Sequence, residues 1–407
     1  MNASAPATIK VDVAIVGGGV AGASLAATLA DAGLGVAVVE REARFRDRIR
    51  GEALHPWGAR EADRLGLLPV LRAAGAVALP LWQRYEARTP GDPYCWADDT
   101  PGGYCEWSIS HPALQAALLR HAACRGARVL RPARVAAYHL SARPEIEVAT
   151  NDGNRTVAAR LVVGADGARS RVRAWLGAGI NRDPVRRAIG GALLDGVALP
   201  ADRAHQAYLP GGFAMLFPQG AGRARAYVVC SAAAARHARS GDVAAHLIAT
   251  CAAALPAGAL GDVRPAGPAA FFPAADVWSD RLAAGPLVLI GDAAGANDPS
   301  QGHGLALAFR DVRELRDLLL SERDWPAAVA AFAARRAADH AVLRAHAEWA
   351  GTLAVAQGPE ADAMRSRVAR ARERDPTAGG FAAIYACGPD GLTPDETARR
   401  RFFGLDG

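Results

Sequence analysis

The feature that most constrains this chain is the junction at residues 11–22. A run of apolar and β-branched residues, 11–16, enters Gly17-Gly18-Gly19-Val20-Ala21-Gly22, and residues 23–32 then read as a helix. A strand meeting a helix through such a turn opens a dinucleotide-binding fold, because each glycine has a separate task. Gly17 permits the tight turn, Gly19 lets the backbone approach a pyrophosphate, and Gly22 lets helix pack closely on strand. The helix N-terminus then faces the phosphates with unpaired N–H groups and the positive end of its dipole. A second strand, residues 36–40, closes on Glu40 about 20 residues further on, where a carboxylate accepts both ribose hydroxyls and disfavours a 2′-phosphate. Arg41 follows it as a further cofactor-binding candidate.

Apolar periodicity sets out the rest of the chain. Helix is expected over residues 56–74 and 111–125, with strands at 76–88 and 94–96 between them. Strands follow at 128–130 and 158–163, around a hairpin through 145–154. A β-rich stretch comes next, with strands at 188–197, 213–217, 226–230 and 269–272 and one helix at 243–254. Residues 287–290 read as another strand, a long helix begins near Gly302, and an Ala/Arg-rich helical pattern fills 326–374. The Gly/Pro-rich tail from Asp375 is expected to pack as loop and a last helix. The length of 407 residues suits two interleaved domains plus a helical segment. Their expected bounds are 1–75, 100–187 and 280–325 for the cofactor domain, 76–99 and 188–279 for a substrate-binding β domain, and 326–407 for the helices.

Composition narrows the function classes. The apolar stretches are broken by Arg, Gly, Pro or Asp before they reach the roughly 18 residues a membrane span needs. Residues 1–10 hold no apolar stretch of the kind that opens a secretory signal, so cytoplasmic residence is expected. The six cysteines form no CxxC pair or Cys/His ligand spacing, which favours free thiols and no metal site. The net charge of +6 is spread along the chain, so no nucleic-acid partner is expected. Of 47 basic residues one, Lys10, is lysine.

Two further glycine segments narrow the cofactor: Gly164-Ala165-Asp166-Gly167-Ala168-Arg169-Ser170, and Gly291-Asp292-Ala293-Ala294 with Asp298-Pro299-Ser300-Gln301-Gly302-His303-Gly304. With the first segment and Glu40 they resemble, over residues 12–320, the single-component FAD-dependent aromatic hydroxylases, the class A monooxygenases of the para-hydroxybenzoate hydroxylase group. The resemblance implies an α/β fold with a Rossmann-like FAD-binding domain interleaved with a β-sheet substrate domain, followed by C-terminal helices. It implies FAD as cofactor and NADH or NADPH as co-substrate. By it, Asp166 and Gly167 lie near the pyrophosphate path and link to both FAD and NAD(P)H binding. Gly291 and Asp292 set a carboxylate on the ribityl chain, and Arg50 of Arg48-Ile49-Arg50-Gly51 sits against the flavin phosphate and ribityl region. Glu52 either orders the flavin edge or caps the next helix. Gly295 and Ala306 depart from the pattern, standing where the family most often has His and Asn.

The turn at residues 299–304 would aim helix N–H groups at the flavin pyrimidine ring, easing the negative charge of the reduced ring. Gly302 and Gly304 leave room for backbone to touch the ring. Pro299, Gly302, Gly304 and His55 are therefore the catalytic candidates. His303, also a cofactor candidate, is expected to turn to solvent or to a local bond. Candidate substrate walls are Trp82, Tyr85, Trp96, Phe213, Met215 and Phe217. The implied reaction has NAD(P)H reduce FAD and oxygen add at flavin C4a, the hydroperoxide then passing one oxygen to an electron-rich ring or alkene of an apolar, aromatic or secondary-metabolite substrate. Other readings are a two-component oxygenase fed reduced FAD by a flavin reductase, an FAD-dependent reductase or dehydrogenase, and a non-catalytic flavin-binding module. Flavin halogenases share the implied fold but use an active-site lysine, whereas Lys10 precedes the first strand.

Overall fold

Six strands form the central sheet in the order Arg128–Leu130, Val36–Val39, Val13–Val16, Leu161–Gly164, Leu287–Leu289 and Ala283–Ala284. The first five are parallel and the last is antiparallel to its neighbour. This arrangement comes from a computed structural model describing residues 8–49, 51–140, 143–375, 377 and 380–405. Successive side chains alternate between the sheet faces, and here both faces are buried. Val13, Ile15, Val36, Val38 and Val163 pack under the helices Val20–Asp31, His111–Cys124 and Gly304–Ser321. Ala14, Val16, Ala37, Val39 and Val162 pack on the opposite side. There they meet a smaller sheet, Ile9–Lys10, Gly153–Ala158, Glu145–Thr150 and Ala133–His139, and the helix Arg171–Trp175. Burial on both sides explains why these strands read as unbroken apolar runs.

A second sheet is ordered Arg264–Ala274, Arg187–Asp195, Arg223–Ser231, Gly212–Gly220, Arg203–Leu209, Leu81–Glu86 and Thr89–Pro90, with Tyr94–Cys95 also paired to Leu81–Glu86. Leu81–Glu86 lies parallel to Arg203–Leu209, so strands from residues 81–95 complete a sheet otherwise built from residue 187 onward. Helices Ala232–Ala238 and Val243–Ala254 cover one face, where Leu247 and Cys251 meet Ala192, Leu216 and Ala226. The other face presents Trp82, Ile189, Phe213, Met215 and Phe217. Phe213, Met215 and Phe217 share it because side chains two apart on a strand point the same way.

Several elements differ from the sequence reading. The helix expected over 56–74 is two, Pro56–Arg64 and Leu68–Ala73, parted around Gly66. Trp96 opens a short helix, Trp96–Asp99, instead of ending a strand. The strand Arg203–Leu209 was not anticipated, because the buried His205 interrupts any simple polar alternation. The Ala/Arg-rich stretch is two helices, Trp325–Val355 and Pro359–Arg374, separated at Gly358, followed by Phe381–Cys387 and Glu396–Phe402. Gly302 adopts a left-handed φ of 71°, and the long helix starts two residues later, at Gly304. Among the described residues no helix is long and apolar enough to cross a membrane.

Candidate active site

Val16, Gly164 and Leu289 sit side by side in the parallel register, so the glycine segments that follow these strands emerge together at their carboxyl ends. Ligands of open α/β sheets bind at that edge. All three segments line one cavity of about 1600 Å³, which continues across the second sheet to the C-terminal helices.

The first segment separates into two kinds of glycine. A Cβ on Gly17, whose φ is 104°, would lie 2.3 Å from the Ala165 carbonyl oxygen, and one on Gly22 would lie 1.9 Å from that of Gly17. Those two positions are closed by the protein itself. Gly19, Gly167 and Gly304 all line the cavity; a Cβ on Gly19 would meet only Gln115 Nε2, at 3.6 Å, and one on Gly167 or Gly304 nothing within 4 Å. The space before these three is cavity, as a bound dinucleotide requires. Glu40 is buried, and its carboxylate accepts from the backbone N–H of Gly18 and of Glu42, both at 2.7 Å, which fixes its direction. Arg41 stays exposed, 3.5 Å from Glu42 Oε1. Arg50 lies outside the described residues. Asp166 accepts from the N–H of Arg171 at 2.6 Å, which ties it to the start of the following helix, while Gly167 faces the cavity.

In the third segment Asp292 is exposed to the cavity and makes no bond to protein among the described residues. The loop carrying it is held from behind. Asp311 accepts from the Gly291 N–H at 2.7 Å and lies 2.7 Å from Arg336 Nε, while Arg336 Nη2 donates to the Gly295 carbonyl at 3.0 Å. A Cβ on Gly295 would sit 2.8 Å from the Val277 carbonyl oxygen, leaving no room there for the family's imidazole. Ala306 is fully buried and faces Gly58, where an added Cβ would come within 2.4 Å of the alanine's. That contact lets the two helices touch and excludes an asparagine.

The 299–304 turn is anchored through Asp298. Its carboxylate accepts from the Ser300 N–H at 2.8 Å and from Arg187 Nη2 at 2.5 Å, all within the protein interior. Pro299, Gly302 and Gly304 line the cavity. A Cβ on Gly302 would approach His55 Nε2 to 2.7 Å. His55 is itself buried; its Nε2 lies 2.8 Å from the Gln301 carbonyl and its Nδ1 3.0 Å from Glu106 Oε1. Burial pushes the Glu106 carboxyl above its ordinary range. His303 does not turn to solvent. It is 1% exposed, its ring packs on Tyr385 at 5.2 Å and edge-on to His55, and burial drives its pKa well below that of a free imidazole. The left-handed Gly302 directs this side chain into the packed layer, so a neutral ring supports the turn from beneath.

Of the expected substrate walls, Trp82, Phe213, Met215 and Phe217 line the cavity. Tyr85 is an odd number of residues from Trp82 and so faces away, its hydroxyl 3.0 Å from His205 Nδ1 in the core under the helices. Trp96 is fully buried behind Trp82, ring centroids 5.9 Å apart. Glu52 caps no helix. It binds Arg225, whose Nη2 donates to it at 2.9 Å and to Asp47 at 2.6 Å, and it lines the cavity. Lys10 lies on the edge strand Ile9–Lys10, outside the cavity lining. The buried arginines 187, 225 and 336 had no sequence signal, since each partner carboxylate is 25 or more residues away.

Fold and site together define a dinucleotide-binding flavoprotein. The family model described as "FAD binding domain" matches residues 10–328. Ubiquinone hydroxylase UbiL of Rhodospirillum rubrum is 29% identical over 371 residues, covering 82% of this chain and 79% of that protein. The 3-demethoxyubiquinol 3-hydroxylase of Escherichia coli is 27% identical over 349 residues, covering 82% and 87%. Among solved structures PqsL of Pseudomonas aeruginosa superposes with a TM-score of 0.70 at 24% identity, over 85% of this chain and 96% of its own. The chain belongs to the class A FAD-dependent monooxygenase family.

Proposed function

We propose that this monooxygenase takes electrons from NADH or NADPH and hydroxylates or epoxidises an apolar small molecule bearing an electron-rich ring or alkene. The observation that supports this best is one cavity lined both by the 299–304 turn and by the aromatic wall of the second sheet. When bound, FAD supplies the electron transfer and oxygen activation that side chains lack. The chain's own residues do the rest. N–H groups at the start of Val20–Asp31, behind Gly19, receive the pyrophosphate; Glu40 accepts from the ribose; Asp292 accepts from the ribityl hydroxyls. The N-terminus of Gly304–Ser321 stabilises negative charge on the adjoining ring edge. Trp82, Phe213, Met215 and Phe217 orient the substrate and exclude water. The two hydroxylase relatives are named for quinone-type rings, which suits such a wall. The discontinuous division at residues 75, 100, 187, 280 and 325 is proposed as the domain plan serving this site.

The test follows NADH and NADPH oxidation and oxygen uptake by the FAD-loaded protein, with and without quinols, phenols and polyenes. Substrate-stimulated oxidation with one oxygen atom from O2 in the product supports the proposal. Absence of reduction by either nucleotide transfers the reaction to a system with a partner reductase. Turnover that persists without oxygen identifies a dehydrogenase.

A further inference from the structure

The cavity has a second, charged end that the oxygenase reading does not use. On the strand Leu81–Glu86, Arg84 shares the face of Trp82 and lies opposite Gln206 in register. Tyr208 follows on the same face of the neighbouring strand, and the helix Pro359–Arg374 brings Arg365, Ala369 and Arg372 along one side. Arg365 is paired, donating to Asp362 at 2.5 Å and to the Ala356 carbonyl at 2.8 Å. Arg372 is not. Its Nε is buried without a hydrogen-bond partner, its guanidinium carbon lies 5.6 Å from the centre of the Phe402 ring, and no carboxylate pairs with it among the described residues. Burial, with the Arg84 guanidinium adding, pushes its pKa below the ordinary arginine value. Five acids line the cavity, Glu52, Glu86, Asp292, Asp362 and Glu373; Glu52 binds Arg225, Asp362 binds Arg365, and none of the five forms an ion pair with Arg372 among the described residues. A half-buried Arg372 without a counter-ion among the described residues, facing a cavity that Arg84 also lines, is unfavourable until an anion arrives.

We propose that the Arg84–Tyr208–Arg372 end of the cavity is an anion subsite and that the substrate is an apolar acid whose carboxylate it holds. Planar guanidinium groups suit a carboxylate, which accepts two parallel hydrogen bonds from one fork. Tyr385 lines the same cavity and reaches the reaction end, its hydroxyl donating to Gln301 Oε1 at 2.9 Å. An acid anchored there lays its apolar body along Phe213, Met215 and Phe217, which sets the carbon presented to the 299–304 turn. The inference rests on the oxygenase reading for that last step alone.

The test is a binding titration of the FAD-loaded protein with 2-naphthoate and with its neutral isostere 2-naphthamide, read by perturbation of the flavin spectrum and by calorimetry. The acid should bind roughly ten- to a hundredfold more tightly, the range of a charge-assisted bond. In Arg372→Met and Arg84→Met, at wild-type FAD content and unfolding temperature, the preference should fall to about threefold or less; Arg372→Lys should keep part of it. Should a Met variant misfold, the Lys variant and the loss of the wild-type preference at high salt decide the matter. Equal affinity for acid and amide in the wild type overturns the proposal. So does arginine-dependent affinity for 2′,5′-ADP instead, which would make the anion a nucleotide phosphate. Normal turnover of a neutral ring, indifferent to both arginines, would sink the acid and leave the oxygenase standing.

Discussion

Asp276 is buried, takes a hydrogen bond from Asn297 Nδ2 at 3.0 Å, and has its pKa pushed up to about 7 by burial and by the neighbouring Asp298. The folded state therefore keeps a proton that the unfolded chain releases near pH 4, so the native form binds more protons between those values. Its contribution is fully present below pH 4 and is lost as pH rises through 7, by up to roughly 4 kcal/mol. Asp276→Asn removes the ionisation, so its urea-unfolding midpoint should gain on the wild type from pH 5 to about 7 and level off above that; a difference that stays flat throughout rejects this assignment. Two glycines should separate binding from folding. Gly19→Val should leave the unfolding temperature of the apoprotein unchanged and abolish FAD retention. Gly22→Val, whose Cβ meets the Gly17 carbonyl, should lower both. Asp292→Ala should weaken FAD binding by about 1.5–3 kcal/mol, roughly ten- to 150-fold, as the loss of a charged acceptor does; an unchanged dissociation constant would remove Asp292 from the ribityl contact. These glycines were legible because backbone geometry is local. The inward turn of His303 was not, since it depends on side chains from three other helices.

At the level of elements, the turn before Gly304–Ser321 is held by a clamp that no local pattern announces. Arg187 reaches Asp298 from the start of a strand more than a hundred residues earlier, and a Cβ on Gly351 would lie 1.9 Å from its Nη1. Removing one partner strands a buried charge, so Arg187→Met should destabilise the fold by about 3–5 kcal/mol. Pro299→Ala leaves the anchor in place; it should spare FAD content and lower turnover, measured as oxygen consumed per flavin. The strand Leu81–Glu86 shows a limit of the same kind. Its aromatic residues mark it as a strand, yet alternation allows only one of Trp82 and Tyr85 to face the cavity. The choice fell to Trp82, and with it to Arg84, because the helices Ala232–Ala238 and Val243–Ala254 cover the other side.

Across the whole molecule, one tie from the second sheet to the segment before Pro56 passes through Arg225, which is 1% exposed and binds both Asp47 and Glu52. Burial raises the Glu52 carboxyl and Arg225 opposes that rise. A double-mutant cycle of Arg225→Met and Glu52→Gln should return a coupling of about 1–3 kcal/mol in urea unfolding, the paired change being milder than Arg225→Met alone. Strict additivity would show that the pair does not tie the second sheet to that segment. The sequence alone determined the opening strand, turn and helix, the acid after the second strand, and the order of three glycine segments, because each is a short-range requirement of backbone and phosphate chemistry. Only the tertiary structure decided which arginines of an arginine-rich chain are buried clamps, which sheet face the cavity takes, and where its charged end lies. Those outcomes depend on contacts between positions far apart along the chain, and such contacts impose no periodicity on the residues that make them.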